Sequence, residues 1–231
     1  MKPYVICHMV ASVDGRTFIS RWRPEDASRR QIFESLHNRL DVDAWLVGRV
    51  TGQEYAKREA YPCESDQIIS REPWFAGRGA AAYGIVLDPE GKIAWGRADI
   101  EGDPIVAVLT ETVSDAHLTG LRQDGVSYVF AGDRTLDLAL TLDILSRELG
   151  IKRLEINGGG IANGSFLRAG LVDEVSLAIF PVVDGARGAP SVFDSRESAA
   201  APAAPVRSMK LASSEVLEGG AVWLRYRLQN G

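Results

Sequence analysis

The segment RLEINGGGIANGS, residues 153–165, joins a short predicted strand to three consecutive glycines and a predicted helix. In open α/β sheets, ligands bind beyond the carboxyl ends of the strands. A glycine run there lets the backbone approach a phosphate closely, and the N–H groups of the next helix can hold it. A tight turn without a ligand is the alternative, but three adjacent glycines carry an entropy cost that a simple turn rarely needs. We therefore predict a phosphate-binding loop, whose glycine spacing matches neither the dinucleotide-binding fingerprint nor a P-loop.

Outward from this segment, apolar strand patterns alternate with helical patterns. Strands are predicted at 4–10, 43–47, 81–87, 105–109, 126–130, 152–156 and 174–181, and helices at 25–40, 135–149 and about 163–169. Short apolar strands between helices are typical of a largely parallel sheet covered on both faces. After an Ala/Pro-rich connector at 199–205, the patterns at 210–217 and 221–228 flank two glycines and predict an antiparallel hairpin. We expect a single α/β domain, residues 1–231, with a mixed sheet and an antiparallel C-terminal edge.

Composition narrows the class of protein. The chain has 231 residues, of which 45% are hydrophobic and 25% charged, with a formal net charge of −5, as in ordinary globular proteins. It lacks the basic stripe of a nucleic-acid binder, and no HxxxH or CxxC spacing indicates a metal site. Two cysteines do not make a disulfide framework. No apolar run is long enough for a membrane span, and the N-terminus has no signal-peptide pattern, so we expect a cytoplasmic protein.

Three further segments are candidate binding elements. Ala11, where the first strand ends, is small enough to let a flat ring lie against the backbone, although the following Asp14-Gly15 is also ordinary turn chemistry. Gly48 and Thr51 directly follow the strand at 43–47. Trp22 stands in a polar loop, either as a lid over a planar ligand or as a surface residue that anchors the loop. No Ser/His/Asp or Cys/His arrangement stands out, which fits hydride transfer, in which a nicotinamide carries the chemistry. The catalytic residues are therefore left unassigned.

Together these segments resemble the RibD C-terminal reductase family. Residues 11–16, Ala-Ser-Val-Asp-Gly-Arg, match the family's small-Ser-Leu-Asp-Gly-Lys/Arg motif, and residues 47–51 match its Val-Gly-x-x-Thr. The most specific match is the stretch 158–181. It contains Gly-Gly, a short helix, Ala-Gly-Leu-Val-Asp-Glu at 169–174 and a strand that ends in Pro181. The resemblance covers about residues 1–228.

The resemblance implies a dihydrofolate-reductase-like, three-layer α/β/α fold, NADPH as reductant, a small-molecule substrate and a homodimer. It implies reduction of the ribosyl group of a 5-amino-6-(5-phosphoribosylamino)pyrimidine in riboflavin biosynthesis. Carried over position by position, the cofactor contacts fall on Ala11, Trp22, Gly48, Thr51, Gly158, Gly159, Gly160, Ile161, Ala162 and Asn163. The implied substrate contacts are Ser20, Asn157 and Arg39, the last of which would pair with a phosphate.

The chain departs from the family pattern at the substrate edge. Asn157 stands where the family has a Glu that faces the pyrimidine, and Pro89 replaces a Ser. The family's Asp-Asp-Pro and following Arg are missing after Thr51, which leaves Lys57 or Arg58 as a replacement phosphate anchor. Two other functions therefore stay open: an NADPH reductase of a pterin, folate-like or other heterocycle, and a non-catalytic NADP(H)-binding module.

Overall fold

The computed structural model describes residues 2–62, 64, 67–195 and 202–230. In chain order the elements are β1 (Tyr4–Ser12), α1 (Ser28–Leu40), β2 (Ala44–Gly48), α2 (Arg49–Gln53), β3 (Tyr83–Leu87), β4 (Asp99–Ile100), β5 (Asp103–Leu109), α3 (Asp115–Gln123), β6 (Ser127–Phe130), α4 (Leu138–Leu149), β7 (Arg153–Ile156), α5 (Gly160–Arg168), β8 (Glu174–Phe180), β9 (Val206–Val216) and β10 (Val222–Asn230). Short 3₁₀ turns lie at Ile19–Arg21 and Glu218–Gly220.

The contacts divide the chain into two compact units. The first comprises Met1–Pro3 and Asp43–Leu154, and the second comprises Tyr4–Val42 and Glu155–Gly231. Strand β7 begins in the first unit and ends in the second. That the chain is one domain stays a prediction.

The first unit is built on four parallel strands. They pair in the order β2-β3-β5-β6, and the short β4 lies antiparallel to one end of β5. The continuous apolar runs that predicted these strands are buried in them, because both faces of the sheet lie against side chains. Helix α4 begins at 138 rather than 135 because the Asp137 side chain caps it, accepting from the Leu140 N–H at 2.9 Å. It ends as predicted at Gly150, which has φ 72°.

The second unit contains the predicted C-terminal hairpin. Strand β1 pairs in parallel with β8, β8 pairs antiparallel with β10, and β10 pairs antiparallel with β9. Helix α1 packs on one face of these strands over a core that includes Leu36, Leu40, Phe180 and Trp223. The mixed, mainly parallel pairing and the antiparallel C-terminal strands predicted from the sequence are confirmed.

Some element boundaries predicted from the sequence are wrong. Helix α1 begins at Ser28 rather than residue 25, because the Asp26 carboxylate accepts from the Ser28 N–H at 2.9 Å in a turn ahead of the helix. Helix α5 begins at Gly160 rather than near 163, so the last glycine of the run is already helical. Helix α3 was not predicted; Ser114 caps it by accepting from the His117 N–H at 3.2 Å.

Two sequence-based expectations fall partly outside the described residues. Cys7 is a buried free thiol, whereas Cys63 lies outside them. Residues 199–201 of the predicted connector also lie outside, and 202–204 have no regular structure. None of the helices in the described ranges has the length and apolarity needed to cross a bilayer.

Candidate active site

The glycine loop connects the end of β7 to the start of α5. Gly158 has φ +95°, a conformation that side chains other than glycine's rarely adopt. Gly159 is exposed and extended, and it forms the N-cap of α5 with no side-chain hydrogen bond there. The loop therefore presents bare backbone at a helix N-terminus.

The first turn of α5 has backbone N–H groups available to an anion. The Ala162 and Asn163 N–H groups both donate hydrogen bonds to the Gly159 carbonyl, at 2.9 and 3.2 Å. The Gly160 and Ile161 N–H groups precede them, and groups in this position have no acceptor within their own helix. Phosphates bind such N–H groups, helped by the partial positive charge of the helix end. This arrangement fits the phosphate of a nucleotide cofactor.

Two nearby glycines have a different role, which the sequence did not reveal. A Cβ at Gly160 would lie 2.3 Å from the Ser191 carbonyl oxygen, and one at Gly164 would lie 1.8 Å from that of Asp194. The Asp194 N–H donates to the Gly160 carbonyl at 2.9 Å. The Asn163 side-chain amide donates to the Val192 carbonyl at 2.7 Å. Gly160, Asn163 and Gly164 therefore hold α5 against the segment 191–194.

A polar cluster lies at the carboxyl end of β7, where Asn157 directly follows the strand. The Asn157 Oδ1 atom is buried and has no hydrogen-bond partner among the described residues. Two residues earlier, Glu155 is fully buried, and its Oε2 lies 2.9 Å from Nδ1 of His37 on α1. Its Oε1 is buried and unpartnered within the same described ranges. A buried acceptor without a donor calls for an explanation, and a bound ligand would supply one.

His8 extends this polar cluster toward β8. Its Nδ1 lies 2.9 Å from the Ser176 hydroxyl, and its ring stacks on Phe33 with centroids 4.8 Å apart. Burial lowers the pKa of His8, so its neutral form is favoured. The pairing of His37 with Glu155 was not predicted; its only signal is a Glu between the two apolar residues Leu154 and Ile156 of the strand.

The indole of Trp22 belongs to the core. The residue is 0% exposed, its ring lies 5.8 Å from that of Phe180, and the Arg29 guanidinium stacks over it at 5.6 Å. Both sequence-based interpretations, an exposed lid and a surface anchor, are therefore wrong. The physical reason is that the polar loop folds inward over the apolar face between α1 and β8. Its assignment as a cofactor contact stays a prediction.

The other predicted residues of the second unit lie in different environments. Ala11 is buried on β1 beside Ile179 of β8, and Ser20 is exposed on a 3₁₀ turn. Arg39 is already paired: its Nη2 lies 2.6 Å from Glu215 Oε2, and its guanidinium stacks 4.4 Å over Trp223. A substrate phosphate at Arg39 would have to displace this ion pair.

The turn at Asp14 is stabilised by hydrogen bonds to the Asp14 carboxylate. Asp14 accepts from the Ser12 hydroxyl at 2.6 Å and from the N–H groups of Asp184 and Gly185 at 3.1 and 2.9 Å. These donors lower the pKa of Asp14 to about 2, with the Ser12 hydroxyl contributing most. Gly15 follows with φ +76°. The geometry is that of a structural turn, in agreement with the turn chemistry of its sequence.

Gly48, Thr51 and the candidate phosphate anchors lie in the first unit. Gly48 ends β2 and Thr51 lies in α2, and both are half-buried. Arg58 is paired, with its Nη2 at 3.1 Å from Asp124 Oδ1. The Lys57 N–H donates to the Trp95 carbonyl at 2.7 Å, and its side chain is exposed.

Comparison with known proteins assigns the family. Residues 3–223 match the sequence model of the RibD C-terminal domain. The chain belongs to the RibD C-terminal domain family. The resemblance read from the motifs at 11–16, 47–51 and 158–181 is thereby confirmed.

Relatives in this family are named as reductases. The chain is 28% identical over 195 residues to the 2,5-diamino-6-ribosylamino-4(3H)-pyrimidinone 5′-phosphate reductase of Methanothermobacter thermautotrophicus, covering 84% of this chain and 85% of that one. It is 32% identical over 209 residues to the protein of the same name from Aquifex aeolicus, covering 83% and 82%.

Solved structures of similar proteins share the fold. A pyrimidine reductase-like protein from Corynebacterium diphtheriae aligns with a TM-score of 0.69 at 18% identity, over 99% of this chain and 93% of that one. The riboflavin biosynthesis reductase Rib7 of Saccharomyces cerevisiae aligns with a TM-score of 0.61 at 17% identity, over 99% and 90%. The dihydrofolate-reductase-like α/β fold expected from the sequence is confirmed.

Proposed function

We propose that this RibD C-terminal domain protein is an NADPH-dependent, homodimeric reductase of riboflavin biosynthesis. It reduces the ribosyl group of a 5-amino-6-(5-phosphoribosylamino)pyrimidine to the ribityl group. The names of the Methanothermobacter and Aquifex relatives support the reaction class. The observation that carries the proposal is the Asn157 Oδ1, which is buried and has no hydrogen-bond partner within the described ranges; it precedes the N-terminus of α5, where no side chain caps the helix.

The loop and α5 bind the cofactor in this proposal. The bare backbone of Gly159 and the N–H groups of Gly160 and Ile161 receive a cofactor phosphate. Bound NADPH supplies a hydride. The contacts of α5 with the segment 191–194 fix the direction of these N–H groups, since α5 cannot tilt without breaking the Asp194 N–H bond to Gly160.

Asn157 orients the heterocycle in this proposal. Its Oδ1 accepts a hydrogen bond from an N–H of the pyrimidine, while an amide, unlike a carboxylate, can also donate. The relatives' names specify a 2,5-diaminopyrimidinone, whose amino groups are donors that suit such an acceptor. The substitution of Asn for the family's Glu also favours a second candidate, a reductase of a pterin or folate-like heterocycle, because it removes a negative charge from the substrate edge.

The test is NADPH oxidation by the purified protein, followed by absorbance. The two substrates are 2,5-diamino-6-ribosylamino-4(3H)-pyrimidinone 5′-phosphate and 5-amino-6-(5-phosphoribosylamino)uracil. Turnover of either supports the proposal. NADPH binding without turnover of either contradicts the pathway step and favours another heterocycle, whereas absence of NADPH binding contradicts the cofactor assignment.

A pair of variants tests the role of Asn157. In Asn157→Glu, the ratio of kcat/KM between the two pyrimidines should change by at least ~10-fold, because a buried acceptor gains a charge and loses a donor. Asn38→Glu is the matched control, since it makes the same change at an exposed position on α1. If the ratio stays the same in both variants, Asn157 does not contact the heterocycle.

A further inference from the structure

A buried carboxyl group near the proposed substrate position has no part in the proposed function so far. Glu155 is fully buried on β7 and precedes Asn157 by two residues, so their Cα atoms lie at most about 7 Å apart. A carboxyl group is seldom buried unless it is paired, because its charge loses the hydration that water provides. The position of Glu155 therefore requires a structural or a chemical reason.

His37 of α1 connects this carboxyl group to solvent. Its Nδ1 lies 2.9 Å from Glu155 Oε2, and its side chain is 30% exposed, whereas that of Glu155 is 0% exposed. Imidazole gains and loses a proton near neutral pH. A partly exposed histidine that is hydrogen-bonded to a buried carboxyl group can therefore carry protons between water and the interior.

The second oxygen of Glu155 distinguishes it from a structural carboxylate of the same sheet. Glu174 on β8 is also buried, but its Oε2 accepts from the Tyr4 hydroxyl at 3.0 Å and its Oε1 from Arg225 Nε at 2.6 Å. Glu155 Oε1 is buried and has no hydrogen-bond partner in the part of the chain that the structure describes. A carboxylate that only stabilises the fold has both oxygens satisfied. Glu155 therefore keeps one oxygen for a group that the protein does not supply.

The neighbouring ionisable groups leave His37 as the proton partner of Glu155. Burial lowers the pKa of His8 on β1 against the opposing effect of the Glu155 charge, so His8 is neutral. Burial and the same charge raise the pKa of Cys7, so its thiol keeps its proton. The charged residues in register with the His8 face of the sheet are Glu174, Lys210, Glu215, Arg225 and Arg227. Among the described residues, His37 is the titratable group that both contacts Glu155 and reaches solvent.

We propose that His37 and Glu155 form the route by which the proton of the reduction enters the active site. This inference rests on the proposed function, in which a ribosyl group becomes a ribityl group. The change adds a hydride at C1′ of the opened ribose, the electron pair of the C=N bond moves to the nitrogen, and the nitrogen takes a proton. Bound NADPH supplies the hydride and becomes NADP⁺.

The proton moves in three linked transfers. Glu155 gives the proton on Oε1 to the substrate nitrogen, directly or through one water, and takes another at Oε2 from Nδ1 of His37. Water then returns a proton to His37 at the surface. The route consumes one proton from solvent for each NADPH oxidised, and both side chains end in their starting protonation states.

The pH dependence of kcat tests Glu155. The assay is NADPH oxidation with saturating 2,5-diamino-6-ribosylamino-4(3H)-pyrimidinone 5′-phosphate. In the wild type, kcat should fall as the pH rises and the route loses its proton. In Glu155→Gln, kcat should be lower by at least ~100-fold and independent of pH over the same range, because an amide has no proton to transfer. NADPH affinity in calorimetry should be unchanged, since Glu155 lies outside the glycine loop.

Glu174→Gln is the matched control for Glu155→Gln. It makes the same change at a buried carboxylate whose two oxygens are both occupied. It should lower Tm in circular dichroism but keep the pH dependence of the wild type. A pH dependence that changes equally in both variants would assign the effect to the loss of any buried carboxylate and would overturn the inference.

Rescue by imidazole tests His37. In His37→Ala, kcat should fall by at least ~10-fold, and imidazole added to the buffer should restore it, because the side chain is partly exposed. Asn38→Ala, at the next and exposed position of α1, should keep the wild-type kcat and should not respond to imidazole. His37→Ala can fold even if the change at the buried Glu155 lowers stability, so the two tests are independent.

Two results would overturn the inference. The first is a Glu155→Gln protein with the kcat and pH dependence of the wild type. The second is a His37→Ala protein that is folded and slow but does not recover with imidazole, which would show a structural role. An active wild type with either result contradicts the proton route alone, whereas a wild type that oxidises NADPH with neither pyrimidine contradicts the proposed function as well.

Discussion

The stability of Gly164→Ala shows whether Gly164 is needed for close packing of α5, because its helix propensity alone predicts the opposite change. A Cβ at this position would lie 1.8 Å from the Asp194 carbonyl oxygen, whereas ordinary contacts begin at 3.4 Å. Helix α5 and the segment 191–194 would have to separate by the difference, about 1.6 Å. Since the Cβ and the carbonyl are both fixed to the backbone, no rotamer change relieves the overlap. The hydrogen bond from the Asp194 N–H to Gly160 would also lengthen.

The expected loss is about 3 kcal/mol, the upper end of the usual range for an overpacked core. In a chain of this size, that lowers Tm by roughly 6–12 °C. Helix propensity alone predicts the opposite sign, because alanine is favoured over glycine inside a helix by about 1 kcal/mol. The direction of the Tm change therefore discriminates between the two effects.

The assay is thermal and urea unfolding of Gly164→Ala beside Gly77→Ala. Gly77 is exposed, its φ is not positive and a Cβ there would meet nothing within 4 Å, so the control should change stability by less than about 0.5 kcal/mol. A Tm of Gly164→Ala equal to or above that of the wild type would refute the close approach of α5 to the segment 191–194.

Three other outcomes are expected. Gly159→Val should weaken NADPH binding by at least ~100-fold in calorimetry while Tm stays unchanged, because the residue is exposed at the N-terminus of α5; unchanged affinity would remove the phosphate site. Asp14 has a pKa lowered to about 2 from its usual 3.8, so its carboxylate stabilises the fold above pH ~4, and this contribution is lost as the pH falls toward 2. Asp14→Asn should therefore be less stable than the wild type at pH 7, with the difference vanishing near pH 2, and parallel urea-unfolding profiles across this range would contradict the role. Tyr61→Phe should cost about 1–3 kcal/mol in urea unfolding, because the Tyr61 hydroxyl accepts from the buried backbone N–H of Trp95 at 3.0 Å and donates to Asp124 at 2.7 Å; wild-type stability would show that the backbone N–H of Trp95 finds another acceptor.

Much of the secondary structure followed from local pattern. The continuous apolar run at 105–109 predicted the core of β5, and the glycines at 219 and 220 predicted the hairpin turn, where both adopt positive φ. Helix α3 escaped prediction because Gly120 interrupts its sequence and its apolar side chains are few. Its Ser114 cap was the available signal.

The candidate site was predicted in part. The glycine loop lies at the end of β7, as the sequence indicated, and the Asn157 Oδ1 there has no hydrogen-bond partner in the part of the chain that the structure describes. The pairing of His37 with Glu155 joins residues 118 positions apart, which no local pattern specifies. Trp22 was misjudged for the same reason, since its sequence neighbours are polar while its spatial neighbours are apolar.

The sequence by itself determined the α/β class, the hairpin and the glycine loop, because periodicity and turn chemistry indicate which side of each element is buried and where the chain turns. Its motifs at 11–16, 47–51 and 158–181 also carried the resemblance to the family. The tertiary structure decided which glycine of the loop stays exposed, Gly159, and which glycines of α5 admit a neighbouring segment, since that depends on the approach of residues 191–194 to α5. It also decided which face of β9 and β10 lies under α1 and which stays open. A strand's alternation shows that it has two unlike faces, but only the packing of distant segments determines what covers each of them.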